Sequence, residues 1–308
     1  MGKDTLLVAL FVGSVLTVAG PAFGQAWTPE ANSGSAILSF QHVEGRDHIF
    51  SVDITGVMFG DDYVARGRRA FLGEIEAYSL TLQVDYGVTD RLALSAALPY
   101  IASQYTGTVP HGAAIDDGSF HSGFQDLSVE LRYKTVDGPV VITPFVSYVT
   151  PTNDYPTLGH ASIGRNLQET SLGAYFGTVF YSTYTYIHAR YSYTFVERVL
   201  GVSTDRSNVA LAIGHQLLPR LGVRLFGTHL DTRGGLDWWT DVLAHDSHGE
   251  VVFHHHDQLS RTESTRGGLG LTYSVSEWFD LDFSVAKTVD GKNTHEATAS
   301  TVSLVWNF

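Results

Sequence analysis

Gln125-Asp126-Leu127-Ser128-Val129-Glu130-Leu131-Arg132-Tyr133-Lys134 reads as a wall with two faces. Leu127, Val129, Leu131 and Tyr133 fall on one side; Asp126, Ser128, Glu130, Arg132 and Lys134 fall on the other. An extended chain points successive side chains to opposite faces, so this alternation predicts a strand that is apolar on one face and polar on the other. The pattern recurs outward in both directions. Tyr78, Leu80, Leu82, Val84 and Tyr86 oppose Ser79, Thr81, Gln83 and Asp85, and Phe279, Leu281, Phe283 and Val285 oppose Asp280, Asp282 and Ser284.

After Ser35 there is almost no helical periodicity. Strands are expected near 35–44, 74–87, 91–105, 123–135, 140–152, 168–181, 182–197, 205–218, 221–232, 266–277, 279–290 and 296–308. Most of these are long for a soluble sheet but suit a strand crossing a bilayer at a tilt. Their connections sort by side. Those at 88–91, 137–139, 218–220 and 275–278 are tight, and those at 45–73, 106–122, 153–167 and 233–265 are long; a modest 198–204 and a short 291–295 complete the long side. Transmembrane barrels alternate short periplasmic turns with longer outer loops in this way. The expected fold is therefore an all-β transmembrane antiparallel β-barrel of about twelve strands. Phe50, Val52 and Ile54 alternate too, so 48–59 either extends the first strand or forms a hairpin outside the membrane. A soluble β-sandwich would share the alternation, but its strands would be shorter and its connections would not sort by side.

The start of the chain reads as a targeting signal. Lys3 precedes an apolar run from Leu6 to Val18, and the small residues Ala22, Gly24 and Ala26 follow, so cleavage is expected after Gly24 or Ala26. The expected organisation is a signal peptide over 1–26 and one outer-membrane barrel over 27–308. The 308 residues include no cysteine, which removes disulfides, thiolate metal sites and cysteine catalysis. A net charge of −13 with only four lysines argues against nucleic acid as a partner. Mean hydropathy of +0.01 is compatible with a barrel, because only every second residue of a strand faces lipid.

Tyr86, Tyr133, Trp278, Phe279, Trp306 and Phe308 lie beside short turns or the terminus, with Tyr100, Tyr105, Tyr148 and Tyr184 elsewhere along strands. Amphipathic rings concentrate at membrane interfaces. The chain closes with Val302, Leu304, Trp306 and Phe308 at every second position, which resembles the C-terminal signal read by the barrel-assembly machinery. The expected partners are thus the lipid bilayer with its lipopolysaccharide, the barrel-assembly machinery through Phe308, and a small-molecule solute. No cofactor is expected.

Three groups of residues could carry chemistry. Asp85, Asp126, Glu130, Arg132, Lys134, His188, Arg190 and Arg224 are charged or titratable at inward positions; facing lipid they would be costly, so they are expected to line the lumen. Such a lining either solvates and pairs with itself or forms a solute path, with Glu130, Arg132, Arg190 and Arg224 as a charged ring. A twelve-strand lumen lies between barrels filled by side chains and open porins, and could be plugged by a loop or the N-terminus. The outer stretch containing His245, His248, His254, His255 and His256 offers imidazole ligands, but its spacing matches no closed metal site. Finally, Gly159-His160-Ala161-Ser162-Ile163-Gly164-Arg165 resembles the active-site region of outer-membrane phospholipase A, where a histidine activates a serine. That pattern needs an asparagine further along the hairpin, where this chain has Ser171, Gly173 and Gly177, so no catalytic residue is assigned.

Between Leu82 and Thr152 several motifs follow one another: Gly87-Val88-Thr89-Asp90-Arg91-Leu92, Leu98-Pro99-Tyr100, Gly123…Asp126-Leu127 and Thr150-Pro151-Thr152. Together they resemble the family of meta-pathway phenol-degradation outer-membrane proteins, over about seventy residues; Asn153 stands where glycine is common. The motif residues are mostly structural. Gly87, Thr89 and Asp90 suit a tight turn, and Pro99 and Pro144 require a bulge or an unpaired edge. The resemblance implies a channel or facilitator for small, aromatic or otherwise hydrophobic compounds. A lipid hydrolase and a non-transporting structural or partner-binding barrel are the competing classes.

Overall fold

The structure, a computed structural model, describes residues 25–59, 63–107, 115–237 and 255–308. The strands are β1 (Gly34–Ile49), β2 (Met58–Phe59), β3 (Tyr63–Val64), β4 (Arg69–Gly87), β5 (Leu92–Gly107), β6 (His121–Phe124), β7 (Asp126–Tyr133), β8 (Val141–Pro151), β9 (Glu169–Phe180), β10 (Thr185–Val196), β11 (Arg206–Leu218), β12 (Leu221–Thr232), β13 (Glu263–Ser274), β14 (Phe279–Lys292) and β15 (Thr294–Asn307). β6 and β7 pair end to end with β5 and make one interrupted strand. Each remaining long strand pairs antiparallel with its sequence neighbours, and β15 returns to β1, closing a 12-strand antiparallel barrel. The seam is held by Gly34 N–H donating to Phe308 O at 2.8 Å and Phe308 N–H donating to Gly34 O at 3.0 Å. Closure satisfies every edge, which a sheet in lipid requires. No described helix is long and apolar enough to cross a membrane; the crossing elements are strands.

The polarity of this barrel is inverted relative to a soluble one. Val129, Leu131 and Tyr133 are 36, 43 and 47% exposed, whereas Arg132 between them is 1% exposed. Leu80, Leu82, Val84, Leu211, Leu271, Phe283 and Leu304 are likewise exposed, while Ser39, Gln41, Ser79, Ser171, Ser192 and Thr301 are buried. Apolar outside and polar inside is the arrangement that lipid selects. Tyr86, Tyr133, Trp278, Phe279, Trp306 and Phe308 form an exposed aromatic girdle at the end with short turns. Tyr105 is the exception among the rings expected at the surface. It is buried inside the wall, its hydroxyl donates to Leu72 O at 2.7 Å, and it lies where a Cβ on Gly73 or Gly107 would stand. An arginine at position 129 would sit among lipid tails, so Val129→Arg is expected to cost about 2–4 kcal/mol. Equilibrium refolding into liposomes measures this, and an unchanged stability would place that row in the lumen.

Pro99 and Pro144 both lie where the ladder slips. Tyr100 pairs with Phe124 and Ala97 with Ser128, so four steps on one strand meet three on the other around Pro99. The extra residue is Gln125, whose N–H donates to Pro99 O at 3.0 Å. Proline has no N–H to give, and a bulge removes the need for one. The bulge turns Gln125 and Asp126 inward together. Arg132 pairs with Phe145 and Val136 with Ile142, a second slip at Pro144.

The first long connection does both things its sequence allowed. β1 runs on to Ile49, and β2 and β3 pair as a hairpin beyond the barrel, over a small core of Phe50, Ile54, Ala65, Ala70 and Leu72. Several boundaries differ from expectation; β4 starts at Arg69 instead of near 74, and β13 is Glu263–Ser274 instead of 266–277. β13 ends at Ser274 because Ser276 Oγ accepts from the N–H groups of Trp278 and Phe279, making 275–278 a turn although Val275 continues the alternation. A helical turn, α1 (His256–Leu259), lies inside the fifth long connection. In the second, Asp117 accepts from the hydroxyl and the N–H of Ser119 and from His121, which holds its carboxyl down at about 2.

Candidate functional site

The barrel interior is crossed at its short-turn end by the start of the described chain. Ala26 is wholly buried against Phe145, Tyr175 and Trp27, and Thr143 Oγ1 donates to its carbonyl at 2.6 Å. The inward row of β9 makes room for this segment. A Cβ on Gly173 would stand 2.6 Å from the Phe145 ring, and one on Gly177 would stand 2.7 Å from the Trp27 ring. Trp27 also lies 6.3 Å, ring to ring, from His188. The 87–92 turn anchors the same segment. Asp90 Oδ1 accepts from Ala31 N–H and Asp90 O from the Thr28 hydroxyl, both at 2.9 Å. A Cβ on Gly87 would collide with Glu30 O at 2.1 Å. The motif read as a tight turn is thus also a clamp on the N-terminal segment.

Beside this floor lies an ionic network. Arg132 sits 2.9 Å from Asp85 and 3.5 Å from Glu130, and donates to Ser95 Oγ at 2.6 Å; Ser95 in turn donates to Asp85. Tyr175 donates to Glu130 at 3.0 Å, and Arg190 approaches Glu130 at 4.0 Å with its guanidinium 4.8 Å above the Phe145 ring. Asp85, Glu130, Arg132, His188 and Arg190 therefore converge in one region. Asp126 lies further along at the bulge, accepting from Tyr155 Oη at 2.5 Å.

Arg224 and Lys134 are elsewhere. Arg224 makes a two-pronged pair with Asp282, 2.7 Å on one prong, and packs where a Cβ on Gly270 would be, so it stands apart from the ring expected around Glu130. Lys134 directly follows β7 and so stands at the short-turn rim, where it pairs with Asp137 at 2.9 Å.

At the opposite end the connection 152–168 dips into the barrel. Ile163 and Tyr155 pack on Ile101, all three buried. Ser162 Oγ lies 2.6 Å from Gly164 O and 3.1 Å from Pro156 O, while His160 Nδ1 faces Asp116 Oδ2 at 3.1 Å. The serine hydroxyl is thus directed at backbone carbonyls, which is a loop-shaping role. Arg165 approaches Glu169 at 3.6 Å and donates to Thr204, and Arg206 pairs with the same Glu169. Burial and the nearby Arg206 push the Arg165 guanidinium down to about 10, so it remains cationic at neutral pH.

Between floor and lid lies a cavity of about 350 Å³, lined by Gln25 from below, by Ser162, Gly164 and Arg165 from above, and by the strand walls around. Glu169, Arg206, Tyr175, Gln41 and Gln83 belong to it and were not singled out from sequence, although each falls on the inward parity of its strand. Parity was the available signal.

Of the histidines considered as metal ligands, His245, His248 and His254 lie outside the described residues, as does the His256 side chain. His255 directs Nδ1 to Gln258 Oε1 at 2.7 Å. Among the described residues, metal-ligand spacing occurs at His42, Glu44 and Glu76 on the outer wall, where His42 already bonds Glu76 at 3.1 Å.

In fold the chain is similar to the COG4313 outer membrane channel from Pseudomonas putida F1, with a TM-score of 0.67 at 13% identity over 92% of this chain and 98% of that one. It is also similar to the translocator domain of autotransporter NalP from Neisseria meningitidis, with a TM-score of 0.51 at 11% identity over 93% of this chain and 92% of that one. No protein-family model matches the sequence, and no curated protein matches it.

Proposed function

We propose that the chain is a channel of the bacterial outer membrane for small molecules, narrowed from below by its own N-terminal segment, and that it carries out no covalent chemistry. The observation behind this reading is a hydrogen-bonding cavity enclosed in the lumen of a lipid-facing barrel. Its volume falls in the range of small-molecule pockets, about 300–1,000 Å³. The motifs between Leu82 and Thr152 support membership of the meta-pathway family, and the likeness in fold to an outer membrane channel agrees with it. Phe308, exposed at the β1–β15 seam, is proposed as the contact for the barrel-assembly machinery, and the aromatic girdle as the contact for lipid.

Single-channel recording from the full chain in planar bilayers tests the reading. A small ion current is expected, and silence from well-folded protein would leave a structural or partner-binding barrel. Arg190, with a third of its side chain exposed, is the cation near the constriction that solvent reaches; Arg132 is too buried to act on ions. Arg190→Gln is therefore expected to shift the reversal potential toward cations, because a charge in a pore narrower than the Debye length of about 8 Å is poorly screened. Lipid hydrolysis that is lost in Ser162→Ala would instead favour the hydrolase.

A further inference from the structure

The cavity wall differs from the chemistry that the family resemblance implies. A pocket for an apolar ligand is lined mostly by apolar and aromatic side chains. Here more than half of the lining residues are Ser, Thr, Gln or Asn; their carbon atoms share the exposed wall with their hydroxyls and amides and cover somewhat more of it, but the wholly apolar residues are a minority with Val149 and Leu230 the largest. The hydroxyls and amides are arranged across strands. Ser171 and Thr194 oxygens are 2.7 Å apart, and Gln41 Nε2 donates to Thr301 Oγ1 at 3.0 Å. A hydroxyl has one donor and two acceptor sites, so each member of such a pair keeps bonding capacity for the lumen.

Charge points the same way. Asp126, Glu130 and Glu169 are matched in the lining by Arg165, Arg190 and Arg206, so no net charge favours an ionic solute.

We propose that this cavity selects small neutral polyhydroxylated solutes, sugars or sugar alcohols, over apolar aromatic ones; the inference rests on the channel reading above. Every hydroxyl of such a solute both donates and accepts, and exchanges its water for a wall that does both. An aromatic hydrocarbon would displace the same water and leave the wall groups unpaired, which is costly for buried donors and acceptors.

The test uses ion current through the full chain at fixed voltage, with arabinose or phenol added. Arabinose is expected to interrupt the current in a saturable, concentration-dependent way, and phenol is not. Gln41→Leu combined with Gln83→Leu is expected to raise the half-blocking arabinose concentration about tenfold, the loss of one or two hydrogen bonds. The wild-type comparison stands if that variant fails to fold. Interruption by phenol alone, or by neither solute while ions still flow, overturns the inference and leaves the channel. Absence of any ion current overturns the channel reading itself.

Discussion

Replacing Trp27 with glycine is expected to multiply the single-channel conductance several-fold. The indole lies against the site of a missing Cβ on Gly177 and near the His188 ring, where it fills the lumen at the level of Tyr175 and Phe145. Apart from Ala26 O, which accepts from Thr143, this part of the segment is held by packing, and the polar anchors lie further along at Thr28 and Ala31. Removing the ring therefore opens space without breaking the clamp. Asp90→Ala is the complementary change: it frees Ala31 N–H and should give a current that flickers, since the segment can then leave and return. A conductance equal to wild type in the Trp27 variant would mean that the narrowest point lies at the 152–168 connection instead. The same packing bears on processing. Ala26 is enclosed by the barrel, so cleavage after Gly24 keeps it and cleavage after Ala26 discards it. The mature protein is expected to begin at Gln25, which intact mass measurement will read directly.

Arg132→Met is expected to destabilise the barrel by about 3–5 kcal/mol, the usual cost of removing one partner from a buried ion pair. Arg132 is 1% exposed and is shared by Asp85 and Glu130, so its loss leaves two carboxylates in the wall with Ser95 and Tyr175 as hydrogen-bond donors and Arg190, 4.0 Å from Glu130, as a more distant cation. Changing Asp85 to Leu in the same chain should recover part of that loss, because a matched apolar pair has no charge to solvate. Urea midpoints of the reconstituted protein measure both. A single variant as stable as wild type would show that water reaches these carboxylates freely.

Much of this molecule follows from alternation alone. The rows Leu127, Val129, Leu131, Tyr133 and Asp126, Glu130, Arg132 separate by parity, and a strand has no other way to arrange them. Connection lengths then state which end faces the periplasm, because short turns and long loops cluster on opposite sides. Parity also indicates which charges turn inward, but it carries no information on which inward groups meet. Arg224 and Arg132 have the same parity signal, yet strand stagger puts one against Asp282 and the other between Asp85 and Glu130. Lys134 shares the alternating run of Arg132, but its strand has ended there and it pairs with Asp137 at the rim.

The site itself was the least legible. In the sequence Gly173 and Gly177 are only the residues that stand where an asparagine would be needed, and the closed barrel shows that their missing side chains are the space for Phe145 and Trp27. The floor comes from residues next to the stretch that reads as a targeting signal, and the lid from a loop whose His160 and Ser162 suggested catalysis. Local sequence determines which faces are apolar and where the chain turns, because those depend on neighbours along the strand. The cavity between Trp27 and Ser162 depends on segments more than a hundred residues apart, brought together by closure of the barrel, and that was decided by tertiary structure.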